Sequence, residues 1–182
     1  MQFALLVPLI FVNLWHGLVI AIARKRGKVW RSISESALAG KDTLVLHRTM
    51  HVIGAVCFYI FALWMWPSTQ LRWSAGILAV AATFDIAQAF ALSIKTLHAP
   101  ISLKDAHQVT AWIMAGAYLL FSVVFMQNAG VPNLLVICYL VWLFIVYAWS
   151  SLMRHKHFWL TQMIFFVSVE VVVLIAAIKL YF

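Results

Sequence analysis

Charge is scarce in this chain, and acid scarcest of all: five Asp and Glu stand against 13 Lys and Arg in 182 residues, and charged residues make up 10%. Soluble domains run near ~25% charged and ~45–50% apolar, whereas here 65% is apolar and the mean hydropathy is +0.99. A water-soluble globule of this size cannot hide so much apolar surface. Glycine and proline are few, at seven and four, which excludes collagen-like and low-complexity chains. Two cysteines, Cys57 and Cys138, lie inside apolar runs. They form no Cys-x-x-Cys and no disulfide framework, and a thiol in lipid acts as a small hydrophobe. They leave the compartment open. Lipid is the solvent that remains.

A bilayer core about 30 Å thick takes roughly 20 helical residues. Six stretches qualify: Phe3–Ala23, Thr49–Trp66, Ser74–Ile94, Val109–Met126, Leu134–Leu152 and Trp159–Lys179. Turn-forming residues separate several of them, at Pro67-Ser68-Thr69, His98-Ala99-Pro100 and Asn128 to Asn133. Backbone polar groups must be satisfied internally in lipid, and these runs are twice the length of a barrel strand, so they read as helices. The expectation is an all-α, polytopic transmembrane bundle of about six spans, residues 1–182 forming a single domain.

Sidedness follows from where the bases sit. Ala21-Ile22-Ala23 resembles a signal cleavage site, but no basic stretch precedes the first span; Arg24-Lys25-Arg26-Gly27-Lys28 follows it instead. The positive-inside rule then makes the 24–48 loop cytoplasmic and puts both termini on the non-cytoplasmic side. Lys95 and Lys104 occupy the third loop, and Arg154 and Lys156 the fifth. In this topology the cytoplasmic loops carry eleven Lys and Arg and three acids, Glu35, Asp42 and Asp105. The net charge of +8 is thus an orientation signal and a grip on anionic lipid rather than a nucleic-acid footprint. Trp64, Trp66 and Trp73 read as one aromatic belt, and Trp112, Trp149 and Trp159 as the other.

In the 24–48 loop, Val29, Trp30, Ile33 and Ala37 share a helical face, giving two readings: an interfacial helix or a solvated basic loop. Asp42-Thr43 is a candidate N-cap for the second helix, and Ser102-x-x-Asp105 a capping box for the fourth. In the third span Ala75, Ala79, Thr83, Ala87 and Ala91 recur every four residues, a pattern that lets helices approach closely in lipid and places this span at the bundle centre.

Five polar residues sit within spans: Asn13, His16, Asp85, Gln88 and Glu170. An ionisable group near mid-bilayer costs at least ~2.5–3.5 kcal/mol on insertion scales, so it needs a partner or a task. Asn13, Asp85 and Glu170 fall near the middle of their spans, and His16 and Gln88 follow one turn nearer the cytoplasm. If the three helices pack together, the first three form a midplane layer and the other two a layer beneath it. This predicts a proton or small-cation path, or a buried ligand site; the structural alternative is a hydrogen-bonded knot or a subunit interface.

The other six histidines map to the cytoplasmic side. His47 and His51 are spaced i, i+4 at the start of the second span, His98 ends the third, His107 opens the fourth, and His155 and His157 precede the sixth. His47, His51 and His107, with Asp105, are the candidate metal ligands, and His51 with His107, or His47 with His107, the candidate axial ligands of a b-type haem. The boundary position of these residues argues against haem. His98 reads as loop, and Arg154 to His157 as a cationic edge facing lipid phosphates.

No Gly-x-Ser-x-Gly, Gly-x-Gly-x-x-Gly, Walker or His-Glu-x-x-His motif occurs, and no lysine sits mid-span. Three functions stay open: proton or small-cation transport or sensing at Asn13, His16, Asp85, Gln88 and Glu170; a haem- or transition-metal-binding redox or assembly protein at the histidines; and a non-catalytic subunit of a larger membrane complex. The expected partners are the bilayer and its anionic lipids, further copies of the chain or companion subunits, and no nucleic acid. The expected location is a bacterial inner membrane.

Overall fold

The computed structural model describes residues 7–27, 32–92, 101–153 and 158–181; the side chains of 7–13, 101–105 and 181 lie outside that description. Among the described residues seven helices follow in chain order: α1 (Val7–Lys25), α2 (Ile33–Ala37), α3 (Lys41–Met65), α4 (Arg72–Ala91), α5 (Ile101–Asn128), α6 (Asn133–Leu152) and α7 (Phe158–Tyr181). No strand occurs among the described residues. Among the described residues, five of these helices contain segments long and apolar enough to cross a membrane: Lys41–Met65, Arg72–Ala91, Ala106–Asn128, Asn133–Leu152 and Phe158–Leu180. Bulky apolar side chains stand open around them, among them Leu63, Trp73 and Phe144, each more than two-thirds exposed. Such a surface suits lipid and penalises water.

Helix α4 lies at the centre, packed mainly on α3 and α5; α7 packs on α5, α6 and α1. The buried face of α4 is Ser74, Ala75, Leu78, Ala81, Ala82, Asp85, Gln88 and Ala89. It departs from the every-four row: Ala79 and Ala87 are half-buried and Thr83 is exposed. A row of period four is inclined to the axis of a 3.6-residue helix, so it winds off the contact face within a few turns. Small residues still decide the packing. The 3.6 period decides which of them count.

Helix α3 starts at Lys41, two turns before the apolar run at Thr49. Its N-cap is Gly40, which makes no side-chain cap bond. Thr43 acts from inside the helix, its hydroxyl 2.9 Å from the carbonyls of both Ala37 and Gly40. Asp42 sits in the first turn, where the helix dipole favours an acid, and takes both arms of Arg26 at 2.5 and 2.9 Å. That carboxylate raises the Arg26 guanidinium above its ordinary pKa.

Ser32 caps α2 by accepting from the Glu35 N–H. Ile33 and Ala37 of this short helix are buried against the bundle, with the Ile33 N–H bonded to Oε1 of Gln162 on α7. The loop helix is therefore a plug in the basic end of the bundle; Val29 and Trp30 lie outside the described residues. Arg24 stacks over Trp159 there, 4.7 Å from the ring centre. At the opposite end α5 closes with Gly130 at φ +67°, the N–H of Val131 reaching the Met126 carbonyl and that of Gly130 the Gln127 carbonyl. This is a Schellman motif, and Lys179 of α7 bonds the Gly130 carbonyl.

Two apolar clusters result. The larger joins α3 to α7 through Phe61, Met65, Leu78, Phe121, Phe125 and Val173. The smaller, Val19, Ala37, Leu38, Leu44 and Leu92, closes the basic end.

Candidate metal centre

His47 and His51 share one face of α3 because four residues make about one turn. The helix begins two turns before the apolar run, which sets His51 about 15 Å along it, ten residues at 1.5 Å each. Their face of α3 packs against α1 and α4, and both side chains are buried, at 1% and 4% exposure. His16, 1% exposed on α1, meets them across the α1–α3 contact. The ring centroids are 4.3 Å apart for His47 and His51, 5.3 Å for His16 and His51, and 6.3 Å for His16 and His47. One ligand atom from each of the three lies within 4.8 Å of the others.

Helix α4 supplies the groups behind this triad. Oδ1 of Asp85 is 2.7 Å from Nδ1 of His51, and Oδ2 accepts from the Tyr118 hydroxyl of α5 at 3.2 Å. The carboxylate can only accept, so Nδ1 of His51 is the donor, and in the neutral imidazole Nε2 then holds the lone pair. Nε2 of Gln88 lies 3.2 Å from that Nε2 and 3.3 Å from Nδ1. The Gln88 backbone carbonyl accepts from Nδ1 of His107 at 2.9 Å. His107 therefore also keeps its Nε2 lone pair. Phe166 of α7 stacks on His16, 5.8 Å between centres and 12° from parallel, and its edge meets Tyr118 at 6.5 Å.

Sequence reasoning divides these residues between two constellations, and the structure joins members of both. His16, Asp85 and Gln88 of the midplane set surround His47 and His51 of the histidine set, with His107 beside them. The separation at sequence level came from hydropathy, which placed His47 and His51 at the edge of a span; helix α3 carries them inside. Glu170 is half-buried on α7, one turn beyond Phe166. Asn13 and Asp105 fall within α1 and α5, but their side chains lie outside the described residues, as do His98, His155 and His157. Tyr118 is the residue the sequence reading missed. A tyrosine flanked by apolar residues in mid-helix is the available signal, since a buried phenol usually finds a partner.

Both ring nitrogens of His47 are buried and make no hydrogen bond among the described residues. A buried polar atom left unsatisfied costs ~1–3 kcal/mol, and such an exception calls for a reason, a bound ion among them. The donor set fits one. Imidazole nitrogens bind zinc at about 2.0–2.1 Å, which sets them about 3.3 Å apart around a tetrahedral ion, so modest side-chain rotation closes the triad. Axial haem ligation asks instead for two imidazoles on opposite faces of a flat macrocycle. Three rings with centroids 4.3–6.3 Å apart leave no plane between them, so the triad itself is no haem site; His107, which the sequence pairs with His51 or His47 for haem, is not one of its members.

Compared with protein-family models, with curated proteins and with solved structures, the chain has no match. The functional reading rests on the site alone.

Proposed function

We propose that the chain is a multi-pass membrane protein that binds one transition-metal ion inside its bundle, through His16, His47 and His51. The observation that carries this is the buried triad around His47, whose ring nitrogens have no hydrogen-bond partner among the described residues. Three imidazoles favour zinc, copper, nickel or iron over magnesium or calcium, which take oxygen ligands. Three protein ligands also leave a position open, as in zinc sites that bind water or a substrate. Asp85 stands where a carboxylate orients a ligating histidine and raises its basicity.

The topology belongs to the same proposal: six spans, α1 supplying the first, both termini on the non-cytoplasmic side, in a bacterial inner membrane. The basic loops support the orientation, and it places the triad in the cytoplasmic half of the bundle. Redox or assembly chemistry at the ion is the class of task this centre suits. A second reading, proton movement, is favoured by the continuous chain Tyr118–Asp85–His51. Histidine and carboxylate chains are common proton relays in membranes.

The two are separated by titrating metal-stripped protein in lipid nanodiscs with Zn2+ and counting bound ion. One zinc per chain, lost in His47→Ala and His51→Ala, supports the metal centre. A chain that binds no ion, yet whose proton flux in vesicles disappears in Asp85→Asn, supports the relay and overturns the metal reading.

A further inference from the structure

The triad is sealed. His16, His47 and His51 are each at most 4% exposed, and among the described residues the apolar cluster of Val19, Ala37, Leu38, Leu44 and Leu92 includes the residues one turn nearer the basic end on α1 and α3. An ion bound there needs a way in that the three ligands do not themselves provide.

His107 has the properties of such a route. It is only partly buried, unlike the triad. Its Nδ1 donates to the Gln88 carbonyl, which leaves Nε2 as a donor atom for a metal. The amide of the same Gln88 lies against His51, so a single residue bridges the outer histidine and the inner ones. His107 lies outside the group whose ligand atoms fall within 4.8 Å of one another, so it is adjacent to the bound position rather than part of it.

We infer that His107 is the entry ligand: a divalent transition-metal ion binds first to its Nε2 and then passes to His51 as the Gln88 amide moves aside. The ion exchanges one nitrogen donor for another without crossing the apolar seal as a bare charge. This rests on the metal reading above and names how that site is loaded.

The probe is Co2+, whose visible absorption reports nitrogen coordination. Full-length protein in nanodiscs is mixed rapidly with Co2+, and the loaded protein is then challenged with EDTA. Two variants are compared with the wild type. His107→Ala removes both nitrogens; His107→Asn keeps a side-chain N–H for the Gln88 carbonyl but offers no imidazole donor. Both variants are expected to bind one Co2+ per chain with the wild-type spectrum, while loading and extraction each slow by about tenfold or more, the effect of a barrier raised by one lost contact.

Wild-type rates in His107→Ala overturn the inference. So do wild-type rates in His107→Asn alone, which would make the residue a brace for Gln88. Loss of stoichiometric binding or a changed spectrum in both variants also overturns it, since His107 is then a ligand of the resting ion. If the wild type itself takes up no Co2+ while remaining folded, the metal reading has failed and the entry role falls with it.

Discussion

At the scale of single residues, the site is held by a few donors and acceptors whose roles follow from elementary hydrogen-bond chemistry. Asp85 accepts from His51 and from Tyr118. Replacing it with asparagine keeps the shape and loses the charge, so zinc affinity is expected to fall 10–100-fold, the usual penalty for disturbing a group behind a metal ligand. Isothermal titration checks this, and an unchanged affinity argues that Asp85 serves another purpose. His47 gives a prediction of opposite sign in stability. In His47→Leu the buried ring nitrogens disappear, so the metal-free protein is expected to gain ~1–3 kcal/mol while losing the ion. Denaturant unfolding of stripped protein in detergent measures it. A loss of stability would mean that His47 is satisfied in a way that favours the knot over the metal centre. The polar residues themselves were legible, since an acid or histidine among apolar runs stands out. Tyr118 was not, because tyrosine is at home both in apolar cores and at interfaces.

Among the helices, composition identified the elements better than their limits. Hydropathy located the apolar part of α3 at Thr49, whereas the helix is set by Gly40, the Thr43 bonds and Asp42 in the first turn. The Asp42-Thr43 signal anticipates that earlier start; what it does not show is that α1 and α4 cover His47 and His51 there, which makes them interior. Likewise the alanine row on α4 was visible in the sequence. Its buried members were not, because a period-four row and a 3.6-residue helix drift apart. Ala82 is fully buried on this helix, so Ala82→Leu is expected to overpack the contact and cost ~1–3 kcal/mol, read as a lowered midpoint of unfolding. Gly130 is a cleaner case. A Cβ there meets only Lys179 at an ordinary 3.9 Å, so Gly130→Ala pays for the left-handed backbone alone, about 1–2 kcal/mol. A wild-type unfolding midpoint would show that the turn is not held at φ +67° in the membrane.

For the whole molecule, the scarcity of acid and the surplus of base describe two different things. The bases punctuate the helices and predict an orientation; the buried acid Asp85 stands at the centre of the bundle beside the histidines. With Cys57 and Cys138 replaced, a single cysteine introduced at Gly27 is expected to react with a membrane-impermeant thiol reagent only from the cytoplasmic face, and one introduced at Asn128 only from the other. Labelling of both from one side removes the proposed topology and, with it, the side from which the ion is loaded. Fold class was readable because lipid imposes it: nothing but helices or a closed barrel satisfies the backbone. The joining of two polar sets into one centre was not readable, since it depends on which helices touch and on how far each helix extends past its apolar run.

The most direct trial of the metal centre is X-ray absorption at the zinc edge on the intact, zinc-loaded chain in lipid nanodiscs, with elemental analysis of the same sample. One zinc per chain with at least three imidazole nitrogens at about 2.0–2.1 Å is the expected result. A folded chain that retains no zinc, or a zinc surrounded by oxygen alone, would contradict it.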